Sequence, residues 1–181
     1  MAKYAVFEST NMKAVHYGGI ADAVFTADIE NGTFGYLDGL ANETETTKYP
    51  VIYNFKKGVS QGKPVYVVNN PAWIENPHTL ADQNRDQYIV PTGTAFRVFR
   101  VLPEDKFAVT AEAFVSADRA SLKVGDTVTI DTTGKLKKLA QNGTASGISA
   151  TIEYTRTIAG TRTLQNKDGS LIYICKVNSV D

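Results

Sequence analysis

Two histidines, His16 and His78, are the only side chains of this 181-residue chain whose ordinary pKa suits general acid-base work near neutrality. They stand far apart, and neither falls in a pattern with a serine or cysteine nucleophile; no Gly-x-Ser-x-Gly elbow is present. His78 follows Asn76-Pro77 and reads as a solvated loop residue, and His16, between Val15 and Tyr17, reads as a half-buried strand residue. Glycosidase chemistry needs two carboxylates across a cleft, but Glu104-Asp105, Asp82 with Asp86, and Glu43 with Glu45 all sit in turn or loop contexts, where solvated surface charge is the expectation. Asp126 and Asp131 bracket an extended segment, which sets them about 16 Å apart, too far to share an ion. No segment has calcium-loop spacing, and the glycines from Gly143 to Gly147 are followed by neither a helical pattern nor Lys-Ser or Lys-Thr. The single cysteine, Cys175 in L-I-Y-I-C-K-V, permits no intrachain disulfide and reads as a small buried strand residue. These residues predict a chain that binds rather than reacts: no enzyme, no cofactor, no metal.

Binding chemistry concentrates elsewhere. From Pro71 to Pro91 the sequence P-A-W-I-E-N-P-H-T-L-A-D-Q-N-R-D-Q-Y-I-V-P loses strand alternation under repeated prolines, and predicts a long excursion with at most a short helix around Leu80 to Tyr88. It holds the only tryptophan, Trp73. Trp73, Ile74 and Tyr88 are the candidate partner-binding residues, since large rigid rings gain contact area at low entropic cost; the other use of Trp73 is to pin the loop to its own core. Phe96-Arg97-Val98-Phe99-Arg100 offers cations beside aromatics, the ingredients of a single-strand nucleic acid platform. Alternation, however, places Arg97 with Phe99 and Phe96 with Arg100, so neither face becomes a stacking row beside a basic groove. Nineteen basic residues balance nineteen acidic ones, which also argues against a nucleic acid partner. The balance is uneven along the chain: Arg119 to Lys176 holds nine Lys or Arg against four Asp or Glu, and Met1 to Asp118 ten against fourteen. Such asymmetry is ordinary surface variation or a means of packing copies head to tail. No stretch approaches the roughly 18 apolar residues of a membrane span, and the start shows no secretory pattern, so the expectation is synthesis in a cytoplasm and no membrane partner.

The elements that must carry these residues are strands. A hydrophobic content of 43% supports a sizeable core. Ala23 to Ile29, the turn Glu30-Asn31-Gly32-Thr33 and Phe34 to Leu37 give the strongest hairpin signal in the chain. Val51 to Phe55 and the run Val65 to Val68 behind Pro64 follow, then a long strand from Phe96 to Leu102 with both faces partly apolar. Phe107 to Thr110, Ala113 to Val115, Thr127 to Ile130, Ile148 to Thr157 and Leu171 to Val177 complete the set, separated by Gly125-Asp126, Gly134, Asn142-Gly143, Gly160 and Asp168-Gly169. The asparagines of the Asn-x-Thr triplets at Asn31, Asn42 and Asn142 read as turn residues. The fold class expected is mainly β, an antiparallel barrel or sandwich with a hairpin-rich N-terminal half and little helix. Residues 1–90 form the hairpin-rich region with the long loop 71–91, and 91–181 a small antiparallel barrel.

P-T-G-T-A-F-R-V-F-R-V-L from Pro91, E-D-K-F-A-V-T-A-E-A-F-V ending at Val115, L-K-V-G-D-T-V-T-I-D-T-T-G-K-L from Leu122 and the closing strand Leu171 to Val177 together resemble the small-barrel decoration modules of tailed bacteriophages, the auxiliary head proteins that decorate or cement a capsid. The resemblance covers about half the chain. It implies a non-enzymatic virion component on the capsid surface that binds the major capsid protein at capsomer junctions, as a homo-oligomer with a trimer favoured. Met1 to Lys13 then suits either an arm that orders against the shell or a frayed end. Two alternatives stay open, a tail or baseplate structural protein and a carbohydrate-binding β module that grips sugar through Trp73 and nearby tyrosines.

Overall fold

The computed structural model describes residues 3–41, 51–71, 85–141, 143–157 and 171–181. Strands dominate. In chain order they are β1 (Phe7–Asn11), the one-turn helix α1 (Ala14–Tyr17), β2 (Ile20–Val24), β3 (Phe34–Leu40), β4 (Ile52–Lys57), β5 (Tyr66–Val68), β6 (Phe96–Arg100), β7 (Lys106–Thr110), β8 (Thr127–Ile130), β9 (Leu136–Lys138), β10 (Ile148–Thr157) and β11 (Leu171–Val180). Short 3-10 turns occupy Arg85–Gln87 and Ala111–Ala113. The fold is thus mainly β with little helix, as the turn spacing predicts.

Five strands close a barrel in the order β2-β4-β3-β5-β6, with β6 returning to pair antiparallel with β2. Alternate residues point inward, and Ala23, Phe55, Val68, Phe96 and Val98 form its buried filling. One end is plugged by Ile29 and Val90, which exchange both backbone hydrogen bonds at 3.0 and 2.9 Å. Phe55 packs edge-on against Phe96 and Phe25 within that filling, at centroid distances of 5.7 and 6.4 Å. The remaining strands make a wholly antiparallel sheet in the order β1-β7-β11-β10-β8-β9. A second and larger core, shared by barrel and sheet, holds Phe34, Val67, Phe99 and Val101 against Phe7, Phe107, Phe114 and Cys175. This explains the two apolar faces of β6: Phe96 and Val98 face one core, Phe99 and Val101 the other.

Several expectations are corrected. The Asn31-Gly32 turn exists, but its flanks do not pair as a hairpin: β2 pairs with β4, in parallel, and with β6, whereas β3 pairs with β4 and β5. The turn is recruited by β5 instead, because the Asn31 amide donates to Asn70 O and accepts from Asn70 N, and Gly32 N donates to Val68 O. Ala113 to Val115 is not a strand; Phe114 makes one parallel bridge to Leu136 after a 3-10 turn. Residues Phe7–Asn11 are neither arm nor frayed end, since they pair with β7. His16 is exposed on α1 rather than half-buried in a strand. Asp105, expected as solvated surface charge, is fully buried. Closure, expected within 91–181, is found between Ile20 and Arg100, and strand pairing crosses residue 90 both ways, through β6 into the barrel and through β1 into the sheet.

Candidate functional site

The end of the barrel away from the Ile29-Val90 plug is open. There β2, β4 and β5 begin and β6 ends, and the gap between them is a cleft of about 830 Å³. Its walls come from Ala21 on β2, Leu37 on β3, Tyr53 on β4, Tyr66 on β5 and Arg100 on β6. Arg100 follows Phe96 and Val98 along the face that fills the barrel, so a cation stands where that filling gives way to solvent. Arg97 and Asp22, direct partners across β6 and β2, also line the cleft.

α1 leads directly into the lining residues Gly18, Gly19 and Ile20. Gly18 ends the helix in the left-handed conformation with φ of 73°. Gly19 then donates to Ala14 O at 3.1 Å and accepts from Arg100 N at 2.8 Å, which ties the helix to the last residue of β6. A Cβ at position 19 would lie 2.9 Å from the Ala14 Cβ and 3.3 Å from the Arg100 Cβ, so only glycine permits this approach.

The cleft carries two positive charges and one negative one. Among the described residues, no ion pair or side-chain hydrogen bond engages Arg97, Arg100 or Asp22, and both arginines are exposed. Lys63, next to the lining residue Pro64, is by contrast committed: it pairs with Asp38 and lies 5.0 Å from the centre of the Tyr36 ring. The hydrogen bond and charge of Lys63 hold the Asp38 carboxyl below the usual carboxylate range. Guanidinium groups with free donors beside two tyrosines can hold and orient an anion.

Among the described residues no group of three or more His, Cys, Asp or Glu is placed to hold a metal, and no helix is long and apolar enough to cross a membrane. Cys175 is wholly buried, and burial pushes its thiol far up. Tyr88 is half-buried at the plugged end, where it packs on the barrel filling and its hydroxyl accepts from the Asn70 amide at 2.7 Å. It does not line the cleft. Trp73, Ile74 and His78 lie outside the described residues.

No family model, no curated protein and no solved structure matches this chain. The mouth itself was not foreseen from sequence. Its signal was present in β6, a strand apolar on both faces that nonetheless carries Arg97 and Arg100, but alternation sent the two arginines to opposite faces. Both nonetheless line one cleft.

Proposed function

We propose that this chain is a non-enzymatic structural protein of a tailed-phage virion, made in the host cytoplasm, which binds the major capsid protein at capsomer junctions on the capsid surface. It acts as a symmetric homo-oligomer, a trimer in the favoured form. One observation carries the reading: the exposed apolar side chains gather at the barrel mouth. Val15, Tyr17, Ile20 and Val51 are 47%, 82%, 40% and 45% exposed, four of the seven large hydrophobic residues left open among those described. Ile20 and Val51 line the cleft, and Val15 and Tyr17 belong to α1, the helix that directly precedes the lining residues Gly18 and Gly19. Exposed apolar groups gathered with arginine and tyrosine are the composition of a protein contact surface.

The β9 edge of the sheet suits a part that meets neighbours through side chains rather than by adding strands there. The outer strand β9 is three residues long, carries Lys137 and Lys138, and is backed where Val115 N donates to Leu136 O at 2.8 Å. Short, charged and covered edges oppose uncontrolled strand addition. Weak contacts repeated over a shell sum to firm attachment.

The test is sedimentation of the purified protein with expanded, undecorated heads. Saturable binding at a fixed ratio to capsomers, with raised resistance of the heads to heat or chelators, is the expected result, and Tyr17→Asp lowers occupancy by about tenfold or more. A protein that stays monomeric and leaves heads untouched overturns the proposal, and one that pellets with tails moves it to the tail.

A further inference from the structure

We infer that the barrel mouth is a docking site for an acidic, apolar-flanked segment of a protein partner, whose carboxylate is held by Arg97 and Arg100. The inference rests on the reading of the chain as a protein-binding part and names the chemistry that the partner must present.

Charge comes first. Arg97 and Arg100 both line the cleft without an ion pair or side-chain hydrogen bond among the described residues, so their ten guanidinium N–H donors are uncommitted. Asp22, opposite Arg97, cancels part of their field and leaves one net positive charge, which matches a single carboxylate better than a polyanion. A nucleic acid strand would call for a row of cations, and the lining supplies only these two against one acid.

Size and surroundings then select a chain segment over a small molecule. The cleft is open and, at about 830 Å³, has room for several residues of an extended chain. Tyr53, Tyr66, Leu37 and Val51 offer apolar surface around the cations. Val15 and Tyr17 stand outside the lining, so a small anion would leave them bare, whereas the flanks of a docked segment would cover them. A desolvated arginine grip ringed by apolar contact is also the arrangement from which interfaces draw most of their affinity.

The experiment titrates the full-length protein with a blocked pentapeptide carrying one glutamate between leucines, following the Nε–Hε resonances of Arg97 and Arg100. Its glutamine counterpart and inorganic phosphate are titrated in parallel. Saturable shifts of both arginines are expected with the glutamate peptide, about tenfold or more weaker binding with the glutamine peptide, and loss of binding in the Arg97→Gln, Arg100→Gln double variant. Both side chains are exposed, so that variant keeps its fold, which its circular dichroism checks. Equal binding of the two peptides, or no saturable shift, overturns the inference. So does phosphate binding as tightly as the peptide, which would make the mouth a free-anion site. Peptide binding by a protein that ignores heads would sink the capsid reading and leave the mouth standing, and undiminished head binding by the double variant would remove the mouth from the docking surface.

Discussion

Asp105 has a carboxylate with no access to solvent, and both of its oxygens are engaged by backbone. Oδ1 accepts from Lys13 N at 2.9 Å and Oδ2 from Leu102 N at 2.8 Å, so one side chain fixes the exit of β1 against the turn between β6 and β7. Truncation would leave two part-buried N–H groups without acceptors. Asp105→Ala is expected to cost about 2–4 kcal/mol in urea denaturation, and Asp105→Asn less, because the amide oxygen still serves one donor; a loss below about 1 kcal/mol for the alanine variant would mean that the two N–H groups find other partners. Its neighbour Glu104 behaves differently. The hydrogen bond and charge of Lys176 hold its carboxyl below the usual range, as Lys63 does for Asp38, but both carboxylates are open to solvent. A carboxylate whose folded pKa is depressed contributes stability above its unfolded value and loses it as pH falls through the folded one. Stability from these two pairs therefore declines as pH drops below about 4. The decline is small, and concentrated salt should flatten it in a pH series of thermal melts.

At the level of elements, Gly134 controls how the β8–β9 hairpin meets the barrel. Its φ is 81°, its carbonyl accepts from Phe34 N at 2.7 Å, and a Cβ there would lie 2.3 Å from the Phe34 oxygen. Gly134→Ala combines a strained backbone with a clash against main chain, and should cost about 2 kcal/mol or more, read as a lowered Tm. Such turns mark where the sequence was easiest to read. β8 and β10 lie at Thr127–Ile130 and Ile148–Thr157, the bounds that alternation and glycine turns predict. β1 and β9 escaped because each offers a single apolar residue and gets its identity from partners outside its own pattern: Phe7 stacks on Phe107 at 5.5 Å, and Leu136 bridges to Phe114 as well as pairing with Ile130. The Asn31-Gly32 turn was legible and its partner was not, since the reciprocal bonds with Asn70 that redirect it appear nowhere in local pattern. The mouth failed for a related reason. Period-two alternation sets Arg100 on the barrel-filling face and Arg97 on the other, and nothing local shows that one cleft at the open end takes both.

Across the whole molecule, barrel and sheet are joined by more than a linker. Phe34 of the barrel is tilted against Phe107 of the sheet at 5.6 Å, and Phe34 and Phe107 are both fully buried. Around them Lys135 pairs with Glu30 at 2.6 Å and donates to Glu112 O at 2.7 Å, while the other Glu30 oxygen accepts from Ala5 N at 2.8 Å. Opening the barrel would strip Phe34, Val67 and Phe99 from the shared core, and losing the sheet would expose the same residues from the other side. Neither can unfold without the other incurring most of its own loss, so a single cooperative transition is expected. Phe55 provides the test, because it lies in the barrel filling and outside the shared core. Phe55→Ala should cost about 3–5 kcal/mol and lower the protection of β11 amides as much as that of β3 amides in native-state hydrogen exchange. Two transitions, with only the barrel amides affected, would instead make barrel and sheet independent folding units.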